Sequence, residues 1–435
     1  MRRFKDCFQC AAAVCIIFAL SNACSRHTAN DLSVYGQGWS AVHADGSNSD
    51  YSPVPGARDL ELAWSREFAG GAIYLGATSD DAGRVFVTTT APGCHFYALR
   101  QATGETLWCS DQVNRSAVAS AALLDRNSHV FLADNKAMRA FDIHGNVLWE
   151  TSIAGFTLSA QFTPSGHVIF ITHIGRIYVL RRDTGEHVLP PIELIPGATY
   201  DPDSADQPVL DCMRGTANCP SANTIAVDPR TGRFFFTFFA PGAPQAGIRA
   251  MQYREYPTPS ITSIWTNDSL PGGSGSSPDI SADGARLYVN DNVDSIHAID
   301  TATGKTLWRY PIGWASGGSP STSPEGIIMP TGGGPLMAII DKGDHAELLW
   351  RKDEIRNRSI PTQAAGGVAY AAVSRGGAGN DLIVVDTLNG EVLDRVPLPG
   401  DTLFTVGTTV GLDGVVYVAT IRGQLFALRP AGKGF

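Results

Sequence analysis

Two serine-rich stretches hold the side chains best suited to chemistry. Gly272-Gly273-Ser274-Gly275-Ser276-Ser277-Pro278 and Ser316-Gly317-Gly318-Ser319-Pro320-Ser321 combine hydroxyls with glycines, as nucleophile elbows and phosphate loops do. Neither follows the Gly-x-Ser-x-Gly or P-loop pattern, and no helix follows for a phosphate to cap. Both precede a short inner strand, where small side chains fit the crowding around an axis. Ser276 and Ser319, with Asn223, Gln363 and Thr405 at comparable places elsewhere, are therefore the residues a ligand at a polar central funnel would meet. Trp314, beside Gly317-Gly318, is the aromatic expected to offer a ring to a planar ligand. In the acidic run 201–206, Asp201, Asp203 and Asp206 are candidate Ca²⁺ ligands, although the spacing lacks a full ligand set. The ten histidines form no His-x-His or His-x-x-x-His pair, and nothing in their spacing points to a metal centre.

These residues must be held by a repeat. In Ile296-His297-Ala298-Ile299-Asp300-Thr301-Ala302-Thr303-Gly304-Lys305-Thr306-Leu307-Trp308, two apolar runs flank a four-residue turn, and Gly304 supplies the positive φ it needs. One hairpin cannot bury that indole against itself, but stacked copies can. The anchors Trp64, Trp108, Trp149 and Leu189 lie 44, 41 and 40 residues apart, and Trp265, Trp308, Trp350 and Leu393 lie 43, 42 and 43 apart. A second turn falls in the same phase of each unit. A period of about 40–45 residues with four short strands per unit is the signature of a β-propeller. The strand near Trp64 lacks a partner before it, and the last copy near Phe426 lacks its closing strand. The expected fold is thus all-β: an eight-bladed propeller with four-stranded antiparallel blades, closed by an N-terminal strand that completes the last blade. It spans 59–430, follows a polar lead-in at 24–58, precedes a short tail at 431–435, and carries an insertion loop at 190–223.

The formal net charge of −9 argues against nucleic acid or anionic lipid as a partner. Arg2, Arg3 and Lys5 precede a short apolar run that ends in small residues, which reads as a signal peptide over 1–23 and an exported chain. The sequence Leu20-Ser21-Asn22-Ala23-Cys24 is also similar to a bacterial lipobox, with Cys24 as the lipid-attachment site. Cys94 with Cys109, and Cys212 with Cys219, are placed to form two disulfides in an oxidising compartment.

The Ala-x-Asp-x-x-Thr-Gly-Lys-x-x-Trp pattern at 298–308 resembles the tryptophan-docking motif of the quinoprotein (pyrroloquinoline quinone, PQQ) propellers. Trp39, Asp45, Tyr51-Ser52-Pro53 and Ala63-Trp64 resemble the N-terminal segment of quinoprotein alcohol dehydrogenases. In size and blade number the chain is similar to the propeller lipoproteins of the outer-membrane β-barrel assembly machinery. The dehydrogenase resemblance implies PQQ with Ca²⁺ and oxidation of alcohols or sugars, but the mature chain lacks the adjacent cysteine pair on which that cofactor lies. The assembly-lipoprotein resemblance implies a non-catalytic, lipid-anchored envelope scaffold without a cofactor. Its partner would be an envelope protein or a small polar ligand. A monomeric protein at the outer membrane or in the periplasm is expected on that reading. A glycan- or polymer-binding module is a further alternative.

Overall fold

The computed structural model describes residues 34–204, 208–221, 223–400 and 403–432. The expected signal peptide over 1–23, Cys24, Asp206 and the end of the tail lie outside the described residues.

Blade 5 shows how the sequence makes a sheet. Its inner strands Arg286–Asn290 and Ser295–Asp300 are almost wholly buried on both faces, whereas the outermost strand Thr306–Pro311 buries chiefly Trp308. A strand sandwiched between two neighbouring sheets reads as a continuous apolar run, and one at the rim alternates. Eight such sheets form among the described residues, each with its four blade strands antiparallel. Apolar side chains collect between adjacent sheets, as where Tyr288, Ile296 and Trp308 of blade 5 meet Ile328, Met337 and Ile339 of blade 6. The core is a set of wedges between blades.

The rim is held by a repeated joint. Each indole reaches forward to the turn of the next blade. Trp64 Nε1 donates to Gln101 O at 2.8 Å, Trp149 to Arg182 O at 2.9 Å, Trp265 to Thr301 O at 3.0 Å and Trp350 to Thr387 O at 2.8 Å. At Trp64, Trp108, Trp149, Trp265 and Trp350 the ring lies against a turn glycine, whereas Trp308 donates to the Asp341 carboxylate at 2.9 Å. A Cβ on Gly304 (φ +73°) would sit 2.5 Å from the Trp265 ring, so this position needs glycine for close approach as well as for φ.

The ring closes as expected. Strand β2 (Leu60–Glu67) pairs antiparallel with Gln424–Pro430, Trp64 lying opposite Ala427 and Ser65 opposite Phe426. Another N-terminal strand is an addition to the sequence reading. Strand β1 (Tyr51–Pro55) runs parallel to Thr362–Ala365 and gives blade 7 a fifth, innermost strand. The insertion also begins later than the sequence reading placed it. Ile192–Glu193 pairs with the Arg176–Leu180 strand as the outer strand of blade 3, so the excursion spans 194–223. Both expected disulfides are present, Cys94–Cys109 and Cys212–Cys219.

Candidate functional site

The lead-in does not run over the surface. Residues 34–50 fill the axis, and their backbone satisfies the innermost strands one blade after another. Ser79 N of blade 1 donates to Trp39 O, and Leu124 N of blade 2 to Ser40 O. Val227 N of blade 4 donates to Gly46 O, Ile280 N of blade 5 to Ser47 O, Thr322 N of blade 6 to Ser49 O, and Gln363 N of blade 7 to Asp50 O. Blade 3 is reached through side chains, with Gln161 Nε2 donating to Asn48 Oδ1 at 2.8 Å. Inner-strand N–H groups facing an axis have no further strand to pair with, and an unpaired buried donor costs about 1–3 kcal/mol. Trp39 and Asn48 are essentially inaccessible to solvent.

Holding this path strains the backbone. Ala44, Asn48 and Asp50 take φ of 74°, 60° and 47°, a region that costs a non-glycine residue of order 1 kcal/mol or more. The loop they shape carries His43 and Asp50 together. Asp50 Oδ2 lies 2.8 Å from His43 Nδ1, and both side chains are buried. Burial raises the Asp50 carboxyl above its ordinary pKa, and the neighbouring imidazole acts the other way. Asp279 on blade 5 is pushed well above the carboxylate range by burial, with Asp45 and Asp50 adding repulsion.

Above this plug a cavity of about 310 Å³ opens at one end of the axis. Its floor is polar: His43, Asn223, Thr224, Ser277 and Ser319. Its wall is apolar, built by Leu75, Leu158, Ile360, Phe404 and Val406 among others. Part of its rim comes from the insertion. The short helix Val209–Arg214 contributes Leu210, Met213 and Arg214 to the lining. The Cys212–Cys219 disulfide packs on Phe156 and Leu158, while Asn292 Nδ2 donates to Arg214 O at 2.6 Å. Lys136 Nζ pairs with Asp203 Oδ1 at 2.6 Å and ties the insertion to blade 2. His173, beneath this lid, stacks on Phe156 at 4.1 Å between ring centroids and accepts from Phe156 N at 3.2 Å. Burial lowers its pKa to about 4, which keeps the imidazole neutral.

Of the funnel residues expected from sequence, Asn223 and Ser319 line this cavity. The others are elsewhere, and much of the cavity wall is apolar. Ser276 is fully buried and its Oγ donates to Ser277 O at 3.1 Å, leaving its neighbour Ser277 to face the cavity. Gln363 lies further along its inner strand, where its amide donates to Ser321 O and Ile327 O. Thr405 spends its N–H and hydroxyl on Arg358 O. Trp314 is committed to blade 6: its Nε1 donates to Thr331 O at 3.2 Å, its ring lies where a Cβ on Gly334 would collide, and Arg351 stands 6.0 Å over it. Asp203 is taken by Lys136, and Asp201 accepts the backbone N–H of Asp203.

A planar quinone needs a free aromatic face and a cation held at its edge. Trp314 offers no such face at the axis, and among the described residues no three His, Cys, Asp or Glu side chains gather as cation ligands. No helix among the described residues is long and apolar enough to cross a membrane. Sequence reading missed His43 and Asp50, which lie outside the repeat; the signal available was a histidine flanked by carboxylates in a turn-rich segment.

Comparison with known proteins gives the family. Residues 51–189 and 258–434 match the family described as outer membrane protein assembly factor BamB. Protein Rv3035 of Mycobacterium tuberculosis is 31% identical over 403 residues, covering 91% of this chain and 96% of that protein. Among solved structures, quinohemoprotein alcohol dehydrogenase from Comamonas testosteroni aligns with a TM-score of 0.66 at 14% identity, over 94% of this chain and 84% of that one. BamB from Moraxella catarrhalis aligns with a TM-score of 0.57 at 18% identity, over 85% and 99%. At these identities the structural likeness speaks for the fold alone, whereas the sequence match covers well over half of the chain, which therefore belongs to the BamB-like family of PQQ-repeat propellers.

Proposed function

We propose that this propeller is an exported, lipid-held binding protein of the cell envelope, in which the mouth cavity receives an apolar group of an envelope partner. The observation that carries this reading is the pairing of a closed axis with an open, apolar-walled mouth. The chain's own lead-in fills the space along the axis, and the insertion rims the cavity above it with Leu210 and Met213. Enclosed apolar walls over a few fixed polar groups are the usual composition of a ligand site. Export through the segment before Cys24 and acylation of that thiol fit a protein stapled by two disulfides.

The test pairs binding with redox activity. A fluorescent amphiphile such as 1-anilinonaphthalene-8-sulfonate is expected to bind the wild-type chain, and Val406→Trp, which fills the cavity, is expected to weaken it at least tenfold. Reconstitution with PQQ and Ca²⁺ is expected to give no dye reduction with alcohols or sugars. Turnover in that assay would overturn the reading in favour of a dehydrogenase. Unchanged amphiphile binding by Val406→Trp would remove the cavity from it.

A further inference from the structure

We propose that the floor of the mouth cavity is an acyl-transfer site, in which Ser277 is the nucleophile, His43 its general base and Asp50 the residue that positions the imidazole. This rests on the reading of the mouth as a ligand site and extends it to a reaction.

Two segments remote in sequence, the lead-in loop and the stretch before Asp279–Ile280, bring three residues together here in one order. Asp50 Oδ2 lies 2.8 Å from His43 Nδ1, and His43 Nε2 lies 3.1 Å from Ser277 Oγ. The carboxylate can only accept, so the proton belongs on Nδ1 and the lone pair on Nε2. Ser277 must then donate its hydroxyl proton to Nε2, which is the arrangement that activates a serine. Two further contacts fit this assignment. Thr224 N donates to Ser277 Oγ at 3.2 Å, and Ser277 N donates to Ser319 Oγ at 3.0 Å. Ser319 Oγ is the more distant hydroxyl, 3.4 Å from Nε2. His43 and Ser277 both line the cavity, while Asp50 lies behind them, near the carboxylates of Asp45 and Asp279. The backbone of Gly317 and Gly318 borders the same space, and their N–H groups make no hydrogen bond among the described residues. They are the donors available to a developing oxyanion. The left-handed φ at Ala44, Asn48 and Asp50 holds imidazole and carboxylate in this alignment.

The apolar wall selects an ester with an apolar acyl group. Ser277 Oγ attacks the carbonyl carbon while His43 Nε2 takes the hydroxyl proton. Collapse of the adduct breaks the bond to the alcohol oxygen, and His43 returns the proton to the leaving alcohol. Water then attacks the acyl-serine, His43 again relaying its proton. The carboxylic acid departs and Ser277 is regenerated. One ester and one water yield one acid and one alcohol.

The experiment treats the full-length purified chain with a fluorophosphonate probe and maps the adduct by peptide mass spectrometry, alongside hydrolysis of p-nitrophenyl butyrate. Labelling confined to Ser277 is expected, with S277A and H43Q each slowing ester hydrolysis by roughly 10²–10⁴-fold and S263A, on the exposed outer strand of blade 4, leaving it within about threefold of wild type. D50N tests positioning, since it should lower kcat and displace the pH profile of labelling while leaving amphiphile binding intact; a purely structural loss would change binding as well. Labelling of Ser319 or of surface residues would overturn the assignment, as would an unlabelled wild-type chain. An unlabelled chain that still binds 1-anilinonaphthalene-8-sulfonate in its mouth would overturn the reaction and leave the binding site standing. Because labelling is read on the wild-type chain, no variant that fails to fold can decide the outcome.

Discussion

The rim and the axis of this ring are built by opposite rules. At the rim, one indole and one turn glycine recur blade after blade, each Trp nitrogen donating into the next turn. At the axis no side-chain motif recurs. Residues 34–50 meet seven blades each with a different residue of one segment, through a backbone carbonyl at blades 1, 2 and 4–7 and through side chains at blade 3. A joint made many times tolerates decay: Leu189 stands in the place of Trp in blade 3, and in blade 7 the register puts Asp394 there, one residue past the Leu393 anchor read from sequence. A plug made once has no substitute, so damage at the axis should cost more than damage at any single rim joint.

The largest effect is therefore expected at Trp39, which is 1% exposed and packs among residues of blades 7 and 8 while its carbonyl accepts from blade 1. Trp39→Ala should destabilise by about 3–5 kcal/mol, read as a fall in the urea midpoint. The lead-in of that variant should also become cleavable by protease under conditions in which the ring stays intact. If a rim substitution such as Trp308→Ala costs as much and exposes the lead-in equally, the contrast between rim and axis fails.

Next comes the turn glycine. Gly304→Ala puts a Cβ 2.5 Å from the Trp265 ring at a φ of +73°. Overpacking and left-handed strain together should cost about 2–4 kcal/mol. Gly83 has nearly the same φ (+74°), and a methyl group added there would meet no atom within 4 Å. Gly83→Ala thus isolates the backbone contribution and should cost about 1 kcal/mol. Equal losses in thermal melts of the two variants would show that the indole contact adds nothing.

The same contrast explains what could be read in advance. Repetition made the rim legible. Trp108, Trp149, Trp265, Trp308 and Trp350 share one phase, and that phase gave blade number, strand number and the closure of Trp64 against Ala427. The axis carries a single copy of each contact across separations such as 234 residues between His43 and Ser277, and no local pattern encodes that meeting. The stretch leading into Asp279–Ile280 turns Ser277 to the cavity and Ser276 away from it, a choice that composition does not encode. Trp314 went to blade 6 because two glycines there leave room for its ring.

A change of pH should separate the two regions. His173 is held neutral beneath the insertion, with its pKa lowered to about 4 by burial. The unfolded chain takes up that proton near pH 6.5, so folding stability is fully present above 6.5 and is lost as pH falls from 6.5 towards 4, by at most about 3 kcal/mol. His173→Asn keeps an acceptor for Phe156 N and removes the titration, so its stability should fall less over that window. Urea midpoints at pH 7 and pH 4.5 measure this. Asp291, 0% exposed, works over a lower range. Burial would raise its pKa, but hydrogen bonds from His297 and from the backbone of Ser295, Asp294 and Val293 hold it at about 2, so its contribution is lost only below about pH 4. A wild-type midpoint that is flat between pH 7 and pH 4.5 would remove His173 from this account.

The smallest effect concerns the donor on a rim indole. Trp350 buries its ring against Gly390 and donates from Nε1 to Thr387 O at 2.8 Å. Phenylalanine keeps most of the apolar body and deletes the donor, leaving the carbonyl without its partner. A net hydrogen bond of this kind contributes about 1 kcal/mol, and an orphaned buried acceptor adds to the loss. Trp350→Phe should thus cost about 1–2 kcal/mol, well below Trp39→Ala. The carbonyl belongs to the next blade, so the loss should fall on the joint between blades 6 and 7 and not on either sheet alone. Faster amide exchange in Asn380–Asp386 of blade 7, with blade 3 unchanged, is the expected signature. Uniform acceleration around the ring would mean that each rim joint carries the whole propeller, and that loss of the indole at two of them is tolerated for some reason other than redundancy.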